Sequence, residues 1–135
     1  ERVNTGMQEA AKNPDYGRDL RTRTKQFALR IVRLCAALPD TMVARTLGRQ
    51  VLRSGTSVGA NYREAQRARS RAEFASKAQI VLQELDETAY WLELISDGEI
   101  VPADRRDDLR RETEGLISIM VASVRTSKSR TKSKT

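Results

Sequence analysis

Apolar residues recur at alternating steps of three and four along most of the chain, which is the spacing of one face of an α-helix. The first series ends at Leu38, where Pro39 prevents a helix from continuing. This spacing predicts a first helix over about residues 18–37. Its inward positions are Leu20, Thr24, Phe27, Ile31, Leu34 and Leu38.

A second helical series follows Asp40 and Thr41, either of which is a suitable N-terminal cap. Its inward positions become small and polar in the second half of the series. These positions are Ala44, Leu47, Val51, Ser54, Val58, Asn61, Ala65 and Ala68.

A third helix is predicted to begin at Ser70, because Ser70 and Glu73 have the spacing of a capping box. It has the most regular apolar series in the chain, and Gly98 marks its end. The inward positions are Phe74, Ala78, Val81, Leu85, Thr88, Leu92 and Ile95.

Pro102 suits the first turn of a fourth helix with a broad apolar stripe. No segment has the alternation of a β-strand. Four helices joined by short loops predict an all-α fold, an antiparallel up-down-up-down four-helix bundle over residues 18–124. The apolar stripe of the fourth helix comprises Leu109, Leu116, Ile117, Met120, Val121 and Val124.

The two ends of the chain lack such a pattern. We expect residues 1–17 to form a flexible N-terminal segment and residues 125–135 to form a disordered basic tail, because the tail has no apolar side chain beyond threonine methyl groups. No stretch approaches the roughly 20 apolar residues that span a bilayer, and the first 17 residues lack the apolar centre of a signal peptide. We therefore expect a cytoplasmic protein without a membrane partner.

Composition restricts the chemistry. The 135 residues include no histidine and one cysteine, Cys35. Catalytic triads with histidine, histidine metal ligands and disulfide frameworks are thereby excluded. Acidic clusters at 86–87 and 104–108 are typical of Mg²⁺ ligands or acid–base pairs, but ion pairs with nearby arginines explain them equally. We predict no enzymatic activity, no catalytic residue, no cofactor and no metal site.

The net charge of +7 is unevenly distributed. Residues 1–17 carry −1, residues 18–71 carry +10, residues 72–124 carry −7 and residues 125–135 carry +5. Two basic blocks thus enclose an acidic one. This pattern is typical of proteins that bind a polyanion, and equally of folds whose halves neutralise each other within or between subunits.

Five arginines fall within an 80° arc of the second helix at 100° per residue, away from its apolar series. We call this the arginine ridge, and arginines so placed would contact a nucleic-acid backbone without reading its sequence. Alternatively, the ridge is a solvated face or bonds to acidic helices of a neighbouring subunit. Its members are Arg45, Arg49, Arg53, Arg63 and Arg67.

The basic tail is a second candidate for nucleic-acid binding. A flexible basic arm raises affinity through counterion release without specificity. A tail of this composition also serves simply as a solubilising segment. Its basic residues are Arg125, Lys128, Arg130, Lys132 and Lys134.

The run Arg53-Ser-Gly-Thr-Ser-Val-Gly-Ala-Asn61 places two glycines inside a helical pattern. Each glycine costs about 1 kcal/mol against alanine there, so we expect an offsetting gain from close helix packing. A phosphate-binding loop would need the lysine of a P-loop, and Asn61 could instead fix register in an assembly. Trp91 suits bundle or subunit packing, or base stacking. To helix packing or assembly we assign Ser54, Gly55, Gly59, Asn61, Glu64 and Trp91.

Over about residues 18–124 the chain resembles the small bacterial four-helix proteins encoded in intervening sequences of 23S ribosomal RNA genes, known as the S23 type. The resemblance rests on residues 19–20, 38–39, 53–61, 64 and 73–74. The run 53–61 is similar to the family's Arg-Ser-Ala-x-Ser-Ile-x-Ala-Asn. Ala65 replaces the family's usual glycine, which favours an unbroken second helix.

The resemblance implies a homopentameric barrel of four-helix bundles without enzymatic activity. The same superfamily includes the accessory variability protein of diversity-generating retroelements, a basic barrel that binds nucleic acid and a reverse transcriptase. Together with the arginine ridge, this predicts a non-enzymatic homo-oligomeric nucleic-acid-binding or accessory protein, as partner of a reverse transcriptase or linked to ribosomal RNA. The alternative is a structural assembly or adaptor protein with charge-complementary subunit interfaces and no nucleic-acid role.

Overall fold

The computed structural model describes residues 16–133, with side chains for 19–129 except 103, 105 and 106. Predictions about residues 1–15, Lys134 and the side chains of Arg130 and Lys132 lie outside this description. The described range folds into four α-helices without a strand, which confirms the all-α four-helix prediction. The helices are α1 (Tyr16–Ala36), α2 (Met42–Gln66), α3 (Arg71–Asp97) and α4 (Ala103–Ser133).

The N-terminal caps follow the local sequence. Thr41 caps α2, because its side chain accepts a hydrogen bond of 3.1 Å from the Ala44 N–H. At α3, Ser70 accepts from the Glu73 N–H at 3.0 Å, while the Glu73 carboxylate accepts from the Arg69 N–H at 3.2 Å. The predicted start at Ser70 is therefore confirmed, with the glutamate reaching one residue further back than in a standard capping box.

Gly98 ends α3 as predicted, but it is not the residue that takes up the left-handed conformation. Its φ is −79°, and the positive φ of 54° falls on Glu99. The Glu99 N–H donates to the Ser96 carbonyl at 3.0 Å. The connection between α3 and α4 thus places a residue with a side chain where glycine is usual.

Helix α4 corrects the predicted domain boundary at its C-terminal end. Residues 125–133, expected to be disordered, continue the helix to Ser133. No glycine or proline follows Val124 to stop the helix, and basic side chains near a helix C-terminus are favourable for its dipole. Arg125 and Lys128 also lie beside the first turns of α3, so this segment has a neighbour.

Successive helices pack against each other, whereas α1 and α4 meet only sparsely. Each successive pair is antiparallel: Leu38 lies against Gly48 and Thr24 against Gly59 in the first pair. The core runs between the helices and contains most of the predicted inward positions of all four, whereas Asn61, Ala68 and Val121 are half-buried outside it. Its largest fully buried side chains include Phe27, Ile31, Val51, Val58, Val81, Leu85, Leu92, Ile95, Leu116 and Met120.

Candidate nucleic-acid interface

The glycines of the central run bring α1 and α2 close together. A Cβ atom on Gly55 would lie 2.8 Å from Cγ1 of Ile31, and one on Gly59 would lie 3.2 Å from Oγ1 of Thr24. Distances below 3.0 Å require a neighbour to move, and Ile31 is fully buried. The absence of a side chain at Gly55 therefore permits the observed helix separation, and this part of α2 is a packing surface.

Polar residues of the same run bond within the bundle. Ser54 faces α3, where its hydroxyl and that of Thr88 form a buried hydrogen bond of 2.8 Å. Asn61 is half-buried and donates from its amide to the Ser57 carbonyl at 2.9 Å, within its own helix.

The other two residues assigned to packing or assembly differ in exposure. Glu64 is exposed on α2, near the turn to α3. Trp91 is half-buried against the core, and its ring centroid lies 5.2 Å from that of Tyr90. Its indole nitrogen is buried and has no hydrogen-bond acceptor among the described residues.

The arginine ridge does not remain a single free surface. Arg53 donates to Glu87 at 2.9 Å and to Glu84 at 3.3 Å, both on α3 of the same chain. The hydrogen bond with Glu87 and the charge of Glu84 raise the pKa of the Arg53 guanidinium above its ordinary value. Arg45 forms an ion pair with Asp40. Two of the five ridge residues are therefore neutralised locally.

The remaining ridge residues lie at different ends of α2. Arg49 is exposed on the N-terminal half, whereas Arg63 and Arg67 lie near the turn that leads to α3. Arg63 is half-buried and Arg67 is exposed. The ion pairs of Arg45 and Arg53 therefore distinguish the first half of the ridge from the second, in which neither arginine is paired with a carboxylate among the described residues.

Arg125 and Lys128 on α4 line one side of an open groove of about 980 Å³ between α3 and α4. The floor on α3 combines small, amide and apolar side chains, with Ile80 38% exposed. None of the described residues that line the groove is acidic. The α3 residues are Ala72, Ala75, Ser76, Gln79, Ile80 and Gln83.

The topology separates charge along the bundle axis in addition to the difference between its helices, which sequence blocks alone did not indicate. The first turns of α1 and α3 meet the last turns of α2 and α4 at one end. We call residues 19–26, 58–83 and 118–129 the basic end; it contains ten Arg or Lys and three Asp or Glu. The opposite half, residues 27–57 and 84–117, contains nine Arg or Lys and twelve Asp or Glu, and we call it the acidic end.

Few of the basic side chains at the basic end take part in ion pairs. Of the ten basic side chains, Arg23 binds Glu112 through both guanidinium nitrogens, at 2.7 and 2.9 Å. Among described residues, the other nine have no carboxylate within 4.0 Å. They are Arg21, Lys25, Arg63, Arg67, Arg69, Arg71, Lys77, Arg125 and Lys128.

The groups considered for chemistry lie apart from the basic end. Cys35 is half-buried against α2, where its thiol donates to the Gly48 carbonyl at 3.5 Å. Burial raises the pKa of this thiol to about 11. Among the acidic clusters, Glu87 binds Arg53 and Asp108 binds Arg111. In residues 16–133, no three cysteine or carboxylate side chains converge as metal ligands would.

None of the helices in the described range combines the length and apolar character required to cross a bilayer.

Residues 19–122 match the family model of the 23S rRNA-intervening sequence proteins. No curated protein matches the chain.

A solved structure supports the same relationship. It is a Bacteroides thetaiotaomicron protein of unknown function from the S23 ribosomal protein family, 34% identical to this chain, with a TM-score of 0.74. The similarity covers 81% of this chain and 97% of the other.

Proposed function

The chain belongs to the 23S rRNA-intervening sequence protein family, and on that premise we propose that it is a non-enzymatic, homo-oligomeric nucleic-acid-binding or accessory protein. The observation that carries the proposal is the group of nine basic side chains at the basic end that have no acidic partner in the described part of the chain. Unpaired arginines and lysines offer donors to phosphate and release counterions when phosphate binds. A fold that used its basic residues only for internal pairing would not leave this excess at one end.

Residue chemistry supports a role without catalysis. Histidine is absent from the sequence, and a Cys35 thiol with a pKa of about 11 carries almost no thiolate at neutral pH. The carboxylates of Glu84, Glu87 and Asp108 are occupied by arginines. We propose that the chain acts through binding, with ribosomal RNA or a reverse transcriptase as the associated component that the family resemblance implies.

The proposed assembly is the homopentamer that the family resemblance implies. Exposed apolar side chains support a contact between copies of the chain: Leu29 and Val32 on α1 are 36% and 44% exposed, and Leu52 on α2 is 38% exposed. If these side chains form one contiguous patch, its burial between subunits would stabilise an assembly. Light scattering on the full chain is expected to give the mass of five subunits, and a monomer would contradict the assembly.

Binding to a labelled nucleic acid, followed by fluorescence anisotropy between about 50 and 200 mM salt, tests the function. Affinity is expected to fall steeply as salt rises, because phosphate contacts release counterions. A chain ending at Val124 lacks Arg125, Lys128 and the residues beyond and should bind more weakly with a shallower salt dependence. Absence of binding at the lowest salt would contradict the proposal.

A second candidate is a structural assembly or adaptor protein without a nucleic-acid role. The same exposed apolar residues of α1 and α2 favour it, as does the acidic end, which could face a basic end of another copy. Light scattering in a salt series separates the two modes of assembly. Contacts made by charge should weaken as salt rises, whereas contacts made by Leu29, Val32 and Leu52 should persist.

A further inference from the structure

The basic end is better suited to a polyanion than the arginine ridge is. In the ridge, Arg45 and Arg53 are occupied by carboxylates of the same chain. At the basic end, Arg67, Arg69 and Arg71 follow one another at alternate positions through the turn from α2 to α3, and all three side chains are exposed. A phosphate that approaches the ridge must compete with Glu84 and Glu87 for Arg53. At the turn, the Glu73 carboxylate is bound to the Arg69 N–H, and none of the three arginine side chains is paired with a carboxylate among the described residues.

The backbone of this turn is already held by internal bonds. The Arg67 N–H donates to the Ala65 and Glu64 carbonyls, and the Arg69 N–H donates to the Glu73 carboxylate at 3.2 Å. The three arginine side chains therefore project from a turn of defined conformation. A positioned cluster of guanidinium groups loses less entropy on binding than a flexible arm does.

The described residues of the basic end present no exposed aromatic side chain on which bases could stack. Its two described aromatic residues are Tyr62, which is 3% exposed, and Phe74, which is partly buried against the core. The exposed Tyr90 lies on the acidic end. Proteins that bind single strands without sequence preference use exposed aromatic side chains for stacking. Arginine and lysine side chains are donors suited to phosphate groups. A duplex presents phosphates at the highest linear density, about one charge per 1.7 Å.

We propose that the basic end, with Arg67, Arg69 and Arg71 at its tip and Arg125 and Lys128 at its side, is the binding surface for the phosphate backbone of a nucleic-acid duplex. The proposal rests on the nucleic-acid function proposed above and names the ligand class and the residues. The chain then contacts nucleic acid end-on, with the bundle axis pointing away from the duplex and the acidic end held at a distance. RNA and DNA duplexes share the phosphate chemistry that this surface recognises.

Two variants of equal charge change test the location. The triple substitution R67Q/R69Q/R71Q removes three charges from the tip, and R45Q/R49Q/R53Q removes three from the first half of the ridge. All six side chains are exposed, and circular dichroism melting monitors the fold of both variants. The probes are a duplex of about 20 base pairs in RNA, the same duplex in DNA, and the single RNA strand, measured by anisotropy at about 50–200 mM salt.

We expect the tip variant to bind the duplexes at least about tenfold more weakly, with a salt slope smaller by about 2–3, because each lost phosphate contact removes about 0.9 from the slope. The ridge variant should change affinity by less than about threefold, and the wild-type chain should prefer either duplex to the single strand.

Equal losses of affinity in both variants would overturn the location of the binding surface. Equal or tighter binding of the single strand would overturn the ligand class, and a preference above about a hundredfold between RNA and DNA duplexes would overturn recognition by phosphate alone. Failure of the wild-type chain to bind any probe would instead contradict the proposed function itself.

Discussion

The hydroxyl groups of Ser54 on α2 and Thr88 on α3 lie 2.8 Å apart in the core, and both residues are 0% exposed. Thr88 Oγ1 also lies 2.8 Å from the Glu84 carbonyl oxygen, so the pair is anchored to the α3 backbone. The Ser54 hydroxyl has one further hydrogen bond among the described residues, to the Val51 carbonyl at 3.5 Å. A small polar pair thus joins two helices at a level where the rest of the core is apolar.

Replacing Thr88 by valine keeps the shape of the side chain but leaves the Ser54 hydroxyl without its short hydrogen bond. We expect T88V to lower the free energy of unfolding by about 1–3 kcal/mol, the cost of a buried unsatisfied polar group. The double variant S54A/T88V should lose less than the sum of the two single variants, because it removes both hydroxyls. Urea denaturation measures all three values, and additive losses would show that the two hydroxyls do not interact.

Replacing Gly55 by alanine should destabilise the fold even though alanine is the better helix former. The added Cβ would lie 2.8 Å from Cγ1 of the buried Ile31, so overpacking of about 1–3 kcal/mol exceeds the gain in helix propensity of about 1 kcal/mol. Gly115 provides the control, because its added Cβ meets only the ends of flexible side chains among the described residues, the Arg23 guanidinium at 3.1 Å and the Glu112 carboxylate at 4.0 Å. Thermal melting should rank G115A above wild type and G55A below it. A more stable G55A chain would contradict close packing at this glycine.

Replacing Glu99 by glycine should stabilise the chain. Glu99 has a φ of 54°, a region that costs a residue with a side chain about 1–2 kcal/mol. Glycine removes this cost but gains entropy in the unfolded chain, which leaves a net gain of about 0.5–1 kcal/mol. Urea denaturation of E99G and of the control E99A measures the difference. Equal stability of the two variants would contradict a conformational origin.

Cys35 should react slowly with thiol reagents in the folded chain. Burial raises the pKa of its thiol from 9.0 to about 11 because the charged thiolate loses hydration, so the reactive form is scarce at neutral pH. The rate of alkylation should rise about tenfold per pH unit until the pH approaches this pKa. The chain unfolded in urea is the control and should react at the rate of an ordinary cysteine. A rate in the folded chain that levels off near pH 8–9 would contradict the raised pKa.

The helical pattern was sufficient to predict the four helices because each has an apolar series at helical spacing and a recognisable boundary. Thr41, Ser70 and Gly98 mark those boundaries through local bonds that involve residues within four positions. The end of α4 was missed because the apolar series stops at Val124, whereas the helix itself requires only the absence of a breaker. In the structure, Arg125 and Lys128 lie beside α3, a neighbour that the sequence pattern did not reveal.

The candidate site was only partly accessible to sequence reasoning. Helical spacing identified Gly55 and Gly59 as unusual and placed the ridge arginines on one face. It gave no indication that Glu84 and Glu87, about thirty residues further along the chain, come within reach of Arg53. The basic end was missed for the same reason, since its charges come from all four helices and meet only through the antiparallel topology.

The axial separation of charge gives the bundle a permanent electric dipole with a component along its long axis. A polyanion exerts a torque on such a molecule before any contact forms, and turns the basic end toward itself. The fraction of collisions that arrive in one orientation then rises as ionic strength falls, independently of the strength of the final contact. The placement of opposite charges at the two ends thereby influences the orientation in which the chain meets a polyanion. The net charge of +7 alone carries no information about this orientation.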